Sequence, residues 1–477
     1  MQFDSWAYAL FLPVVFLLYW CLRDRLRWQN ALLLVASYVF YGWWDWRFLG
    51  LIAFTSLTTF LTALPIRGDR RTADKVWATL NIAANLAILA AFKYLDFFAA
   101  STAAALNAMG LHATWSTLNI VLPVGISFYT FQAISYTIDV YRGDIRATRR
   151  PLEFMLYVSF FPQLVAGPIE RSTHLLPQVL APRRWDYNRA VTGMRQILWG
   201  LFKKIVIADT LAGRVDFIFY HPSAMNPAAL VAGAVLFAFQ IYTDFSGYSD
   251  IAIGSARLLG FELTPNFRYP FFSRSWRELW QRWHISLMSW FKHYVYIPLS
   301  GSRGSRWQTA RNTMVVFALS GLWHGADWTF ILWGIIGGLL LMPSIIFRSK
   351  DDSCVSRHVA KTQEPSPRAA TLSILPVFIG FATVFVIFRC WSMTHLAEYA
   401  TALFSGTWSI HYIYGAREVL LYVLPFVIVE WLRRRDEFPI ARLPLPTWAR
   451  WATYWLLALL IILHSHGITR QYIYFQF

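Results

Sequence analysis

Tyr242-Thr243-Asp244-Phe245-Ser246-Gly247-Tyr248-Ser249-Asp250, Trp280-Gln281-Arg282-Trp283-His284 and Gly321-Leu322-Trp323-His324-Gly325-Ala326-Asp327-Trp328 are three polar islands in residues 239–338, some of the most apolar sequence of the chain. An ionisable group inside a membrane span costs about 3 kcal/mol to insert unless it is paired or wetted. Acids, arginines and two histidines in such surroundings read as a buried polar reaction chamber. The sequence on either side reads as scaffold, doorway or lid.

Composition supports a membrane setting. Of 477 residues, 57% are hydrophobic and only 14% are charged, against about 25% charged in a soluble domain. Apolar runs of roughly 17–22 residues recur along the chain, which predicts an all-α polytopic membrane protein. The 24 tryptophans exceed the needs of interfacial belts, so many must pack inside. The net charge of +17 lies in short loops between apolar runs. That is positive-inside topology, and no nucleic-acid motif accompanies it. Cys21, Cys354 and Cys390 are far apart and give neither a disulfide framework nor a metal spacing. Asp4 precedes the first apolar run and no basic segment does, which predicts a retained first span.

The spans expected at the N-terminal end are Ser5–Leu22, a hairpin of Ala31–Trp44 and Phe48–Leu64, Val76–Phe97 and Ile120–Tyr141. Basic clusters at Arg23–Arg27, Arg67–Lys75 and Arg142–Arg150 alternate with an uncharged outer loop at Ala99–Thr117. This pattern places the N-terminus outside. The two prolines and glycine in Phe161-Pro162-Gln163-Leu164-Val165-Ala166-Gly167-Pro168 predict a re-entrant or broken helix. In the expected helix Val191–Leu211, Lys203 and Lys204 would snorkel at an interface. Ala228–Tyr242 is a clean span, with a helix break expected near Asp244. Ser275–Tyr296 reads as one helix with a tryptophan face, either interfacial or the wall of a cavity. Gly334 and Gly338 have the spacing of a close helix contact. Residues 348–370 form a polar, cytoplasmic loop. Further spans at Leu372–Phe388, Val419–Leu432 and Trp448–His464 leave the C-terminus outside. The chain divides into N-terminal helices (1–150), a core (151–347), that loop (348–370) and C-terminal helices (371–477) of one membrane domain.

His324 is the sharpest chemical candidate. Neutral imidazole is a good general base near pH 7, and Gly321 and Gly325 permit close approach. The other reading is a histidine bonded between helices for packing. His284 is a second polar wall of the chamber or an interfacial residue beside Arg282. Asp244 reads equally as a helix cap. Arg303 and Arg306 are cytoplasmic anchors or contacts for a phosphate-bearing donor.

Taken together, the motifs resemble the membrane-bound O-acyltransferase family. The likeness rests on Leu122-Pro123-Val124-Gly125-Ile126-Ser127-Phe128, Phe160–Ile169, Tyr242–Asp250, Arg282-Trp283-His284-Ile285-Ser286-Leu287 and Leu322-Trp323-His324-Gly325. It is strongest to the branch acetylating alginate, with relatives acting on cellulose and peptidoglycan. The resemblance implies a ring of tilted helices with re-entrant segments around a central tunnel. It also implies His324 as the catalytic histidine and His284 as a second, tunnel-lining one; Asp244, Arg282 and Trp323 are further candidates for the tunnel or active site. The terminal Tyr472-Ile473-Tyr474-Phe475-Gln476-Phe477 resembles an aromatic hexapeptide of this branch. There the first position is usually Phe, and the related D-alanyl transfer system has Tyr where this chain has Gln476.

The expected activity is therefore inner-membrane O-acetyltransfer. Acetyl groups would pass from a cytoplasmic acetyl thioester, acetyl-CoA or another, to an extracellular polysaccharide. No bound cofactor or metal is expected. A periplasmic SGNH-type acetyltransferase with its own serine nucleophile and a polysaccharide synthesis and export complex are the implied partners. Tyr474, or equally Tyr472, has a hydroxyl suited to a transient acyl intermediate. Phe475 and Phe477 would anchor the tail in the tunnel mouth, and Gln476 or the terminal carboxylate would hydrogen-bond near His324; the other reading of the tail is an interfacial aromatic anchor. The alternatives are a lipid, peptidoglycan or teichoic-acid acceptor and, in another class, a proton-coupled transporter. The absence of inverted repeats argues against the transporter.

Overall fold

Ser5 accepts a hydrogen bond from the Tyr8 N–H and so starts α1 (Trp6–Cys21). The expected hairpin follows as α2 (Leu26–Gly42) and α3 (Leu49–Ala63), with Asp45 capping the aromatic tip between them. The computed structural model describes residues 1–118, 120–165, 167–347, 367–409, 413–465 and 471–473, and the regular structure among these is helical throughout.

Two boundaries in the N-terminal part differ from expectation. α4 (Thr72–Leu89) and α5 (Leu95–Ala108) join through a π-helical turn, Ala90–Tyr94, into one 37-residue helix. Much of the expected outer loop at 99–117 is therefore helical, because its alanines favour helix and no Gly or Pro occurs before Gly110. α6 (Ile126–Arg142) starts at Ile126, not Ile120. Pro123 and the left-handed Gly125 (φ 77°) intervene, and a Cβ at Gly125 would lie 2.8 Å from the Leu164 carbonyl oxygen. α7 (Pro151–Ser159) and α8 (Phe161–Leu164) form the expected broken helix, α8 fully buried and α7 mostly so. α9 (Ser172–Leu180) leads on to α10 (Tyr187–Leu201) and, through a π-helical stretch, to α11 (Asp209–Tyr220).

α12 (Pro227–Leu258) is the central helix, 32 residues long and buried along most of its length. It runs through Asp244 without the expected break. Two glycine pairs let α10 lie against it. A Cβ on Gly254 would meet the Gly193 carbonyl oxygen at 2.5 Å, and one on Gly200 would meet that of Gly247 at 2.6 Å. Lys203 and Lys204, only 3% and 1% exposed, do not snorkel. Lys203 pairs with Asp250 at 2.6 Å, and Lys204 bridges Asp209 and Asp244, both at 2.8 Å. The close helix contact carries both ammonium groups inward, where only carboxylates can offset the loss of water.

The expected helix over 275–296 is split into α13 (Trp276–Arg282) and α14 (Ile285–Phe291), with His284 left-handed at the break (φ 43°). α15 (Arg306–His324) packs on α16 (Trp328–Leu339) through Gly321 and Gly334, whose Cα atoms approach closely. α17 (Met342–Ile346) follows. Residues 348–366 of the expected loop, with Cys354, lie outside the described residues. α18 (Pro367–Arg389) begins within the loop's expected bounds. α19 (Met393–Ser405) was not anticipated, whereas α20 (Leu424–Leu432) and α21 (Thr447–His464) were.

Among the described residues, five helices are long and apolar enough to cross a membrane: Trp46–Ala63, Thr72–Ala108, Pro227–Leu258, Trp328–Ile346 and Leu372–Arg389. The chain is a polytopic membrane protein.

The glycine contacts are testable. Gly254→Ala should lose about 1–3 kcal/mol, because the new methyl forces α10 and α12 apart. Gly50→Ala, where nothing lies within 4 Å of the added Cβ, should be neutral or stabilising by about 0.5–1 kcal/mol. Unfolding of both variants in detergent measures the contrast. Equal stability of the two would refute the close-packed interface.

Candidate active site

Both candidate histidines sit where a helix is interrupted. At the end of α15, three carbonyls that no longer find helical partners are met by side chains from the π-helical turn between α4 and α5. Lys93 Nζ donates to the carbonyl oxygens of Trp323 (2.7 Å) and His324 (3.1 Å), and Tyr94 OH donates to that of Leu322 (2.9 Å). These three bonds fix the last turn of α15 and with it the His324 ring.

His284 owes its place to the loop before α13. Arg268 N–H donates to the Arg282 carbonyl (3.1 Å), and Ile285 N–H donates to that of Asn266 (2.9 Å). Asn266 Oδ1 accepts from Ser286 Oγ (2.6 Å), which accepts from the Ile169 N–H (3.0 Å). The break is thus tied both to the 266–268 loop and to the segment after α8. A non-glycine residue in this backbone conformation costs on the order of 1–3 kcal/mol, which these bonds offset.

The two imidazoles meet at 6.2 Å between centroids, and both are nearly fully buried, with His284 2% and His324 4% exposed. Around them the walls are aromatic. Trp323 lies 5.0 Å from His324 and 5.8 Å from His284. Trp333 and Phe388 close on His324 at 5.1 and 5.3 Å, and Phe245 on His284 at 4.6 Å. Gly325 leaves space for the Phe330 ring, which a Cβ there would meet at 2.1 Å.

The other sequence-derived candidates divide. Trp323 belongs to the cluster. Asp244 does not touch the histidines but pairs with Lys204, and it precedes Phe245, which contacts His284. Arg282 is bound within its own helix by Glu278 at 2.6 Å and is half-buried. Tyr474, Phe475, Gln476 and Phe477 lie outside the described residues. Tyr472 and Ile473 are described and are buried against α12. Lys93 was missed. The signal was present, since it is a lone cation within the apolar run of Val76–Phe97.

One space adjoins the cluster, and a second lies one aromatic layer away. A small pocket of about 50 Å³ is lined by Lys93, residues 122–128, Trp323 and His324. A larger cavity of about 770 Å³ lies between α13–α14 and the first half of α15 with α17. Arg277, Lys292, His293 and Arg306 make it basic, and Trp280 and Phe317 line it too. Trp280 touches Trp333 at 5.9 Å, so one aromatic layer stands between this cavity and His324. Arg306 and His324 are the two ends of a 19-residue helix, about 28 Å long.

Comparison with known proteins agrees with this architecture. The profile of MBOAT, the membrane-bound O-acyltransferase family, matches residues 146–350, which include both histidines. A probable alginate O-acetylase of Azotobacter vinelandii is 39% identical over 414 residues, 86% of this chain and 79% of that protein. Another, of Pseudomonas putida, is 36% identical over 509 residues and covers 100% of both. A peptidoglycan O-acetyltransferase of Helicobacter pylori is 34% identical over 365 residues, 69% of this chain and 68% of that one.

The role given to Lys93 predicts a local effect. Lys93→Met strips the donor from two carbonyls, at a cost of about 1–3 kcal/mol for a buried group left unsatisfied. Amide exchange in the last turn of α15 should quicken about 10–100-fold in detergent-solubilised protein, with α12 unchanged. Unaltered exchange would show that the end of α15 is held by other means.

Proposed function

The chain belongs to the membrane-bound O-acyltransferase family and is a membrane O-acyltransferase, and we propose that it carries acetyl groups from a cytoplasmic thioester through the inner membrane for O-acetylation of an extracellular polysaccharide such as alginate. The observation behind this reading is the buried histidine pair, with a small pocket at His324 and a cofactor-sized basic cavity beyond the aromatic layer. The named activities of the Azotobacter and Pseudomonas relatives point to alginate. That of the Helicobacter relative keeps peptidoglycan as the second candidate acceptor.

On this reading the donor is acetyl-CoA or another acetyl thioester in the large cavity, whose volume falls in the range of about 300–1,000 Å³ usual for such ligands. Arg277, Lys292 and Arg306 face its phosphates, and the acetyl end points toward Trp280 and Trp333. The acceptor hydroxyl arrives by the small pocket beside Lys93. His324 accepts the hydroxyl proton as the oxygen attacks the thioester carbonyl. The C–S bond then breaks, the acetyl ester forms, and the proton passes from the imidazolium to the departing thiolate. His284 forms the second polar wall. Tyr474 is a candidate transient acyl carrier, whereas the Tyr472 ring is buried against Tyr248. The basic loops face the cytoplasm and both termini the periplasm, where an SGNH-type acetyltransferase with its own serine nucleophile completes transfer alongside the polysaccharide export complex.

His324→Ala should lower acetyl transfer about 10²–10⁴-fold, the usual contribution of a general base, while the protein still inserts and folds. His284→Ala should lower it less. Acetyl content of the polymer, at equal expression, reports both, and wild-type content with His324→Ala would sink the assignment.

The donor side has its own test. In inverted membrane vesicles, with the cytoplasmic face exposed, wild-type protein should consume added acetyl-CoA, whereas right-side-out vesicles should not. Lys292→Gln with Arg306→Gln should raise the KM for the thioester about tenfold, the equivalent of roughly 1.4 kcal/mol, with kcat little changed. An unchanged KM would remove the cavity from the donor's path.

A further inference from the structure

Residues 471–473 return to the interior beside the middle of α12, where Tyr472 and Ile473 are 1% and 3% exposed. Contacts to this wall hold the segment there. The Ile473 N–H donates to Asp244 Oδ2 at 2.8 Å, and Asp244 Oδ1 is held by Lys204 at 2.8 Å. Lys204 is itself bound by Asp209. The carboxylate is therefore aimed from behind before it meets the segment. One helical turn further along, Tyr472 stacks on Tyr248 at 4.6 Å and 24°. Phe3 also packs against Tyr248 at 4.6 Å, and its N–H donates to the Tyr248 hydroxyl at 3.4 Å. Between these two contacts on α12, Phe245 lies 5.9 Å from Tyr472 and 4.6 Å from His284.

We propose that Asp244 and Tyr248 form a dock on α12 that positions the C-terminal segment beside the histidine pair. Asp244 captures the main chain, so its bond is indifferent to the side chain at 473 and is charge-assisted. Tyr248 supplies a flat partner for the ring at 472. Phe245 separates the docked ring from His284 by a single aromatic layer. Neither Asp244 nor Tyr248 touches the reacting atoms. Both are positioning residues, and the Lys204–Asp209 pair behind them sets the direction of the carboxylate. The effect of this dock on turnover rests on the reading of the tail as part of the active site, whereas its effect on the segment itself does not.

The test uses the full-length chain with Cys21, Cys354 and Cys390 replaced by serine and Ile473→Cys added, which keeps the captured N–H. Reaction of that thiol with a soluble maleimide should be slow with Asp244 present and at least tenfold faster with Asp244→Ala. Asp244→Asn retains an oxygen acceptor, so it should give an intermediate rate. Tyr248→Ala should also speed labelling. With the native Ile473, turnover should fall with Asp244→Ala and recover in part with Asp244→Asn, both variants eluting as folded monodisperse protein. Labelling as slow in Asp244→Ala as in its parent would overturn the dock, and faster labelling with wild-type turnover would overturn the positioning role. If the parent protein transfers no acetyl group, the reading of its activity falls, while the labelling rates still decide the dock.

Discussion

Backbone polar groups at membrane depth must be hydrogen-bonded within the protein, because the bilayer offers them no partner. Among the described residues, three interruptions of helices are stitched by side chains brought in from other segments. At the α7–α8 break, the Phe161 N–H donates to Ser37 Oγ (3.0 Å), and the Tyr157 carbonyl accepts from the amides of Gln132 (2.6 Å) and Gln163 (2.9 Å). Asn266 and Ser286 secure the His284 break. Lys93 and Tyr94 secure the end of α15. Two of the three interruptions carry a histidine of the cluster. A regular helix would place these side chains on its flanks. Here the two histidines come from different interrupted elements, their tilted rings 6.2 Å apart, and the bonds at each interruption hold the main chain rigid, as a site needs to keep reacting groups in register.

The second constraint is charge. Lys203 and Lys204 lie on the π-helical stretch between α10 and α11, against the centre of α12. Burying an ion costs several kcal/mol even after relaxation, so the two ammonium groups are tolerable only because Asp209, Asp244 and Asp250 lie within 2.8 Å of them. Such pairs add little net stability over an apolar core, but breaking one is expensive. They therefore fix the register of α10 on α12 more than its affinity. The reciprocal glycines make the same contact possible sterically, since a methyl group at any of them would push the lysines away from their acids.

The sequence revealed the elements better than their interruptions. Apolar runs located α1, α2, α3, α12, α16, α18, α20 and α21, because a span must be long and continuous whatever it packs against. Proline and glycine marked the α7–α8 break. Nothing local marked the break at His284. The residues on both sides keep helical spacing, and what overrides it is a set of bonds to Asn266 and Arg268 that no periodicity reports. Lys203 and Lys204 read as interfacial because burial of their partners is a tertiary fact. Asp244 looked like a cap because Ser246 and Gly247 suggest a helix end, yet Gly247 is there to admit α10. His324, His284 and Trp323 were singled out from motifs, and the structure brings the three together. Arg282, singled out by the same motif, is bound by Glu278 instead. Lys93 was passed over because a single lysine in a long apolar run does not look like part of a motif.

On the proposed reading, in which one passage serves both membrane faces, the aromatic wall around His324 takes a definite part. A thioester is open to hydrolysis wherever water reaches its carbonyl, and a continuous wet channel would also leak ions. The large cavity is basic and open enough to hold charged groups, whereas the layer formed by Trp280, Trp333, Phe385 and Phe388 is not. Its rings contact one another at 5.3–5.9 Å, and the layer closes directly on His324. On the proposed reading, only the small acetyl end of the donor passes this layer, and the charged remainder stays behind it. Water is then excluded from the reacting carbonyl by the same rings that orient the base, which strengthens each electrostatic interaction there. Size selection, protection of the thioester and a seal between the two faces would, on that reading, all follow from one packed aromatic layer. The abundance of tryptophan and phenylalanine, greater than interfacial belts require, has in this layer a use tied to the chemistry.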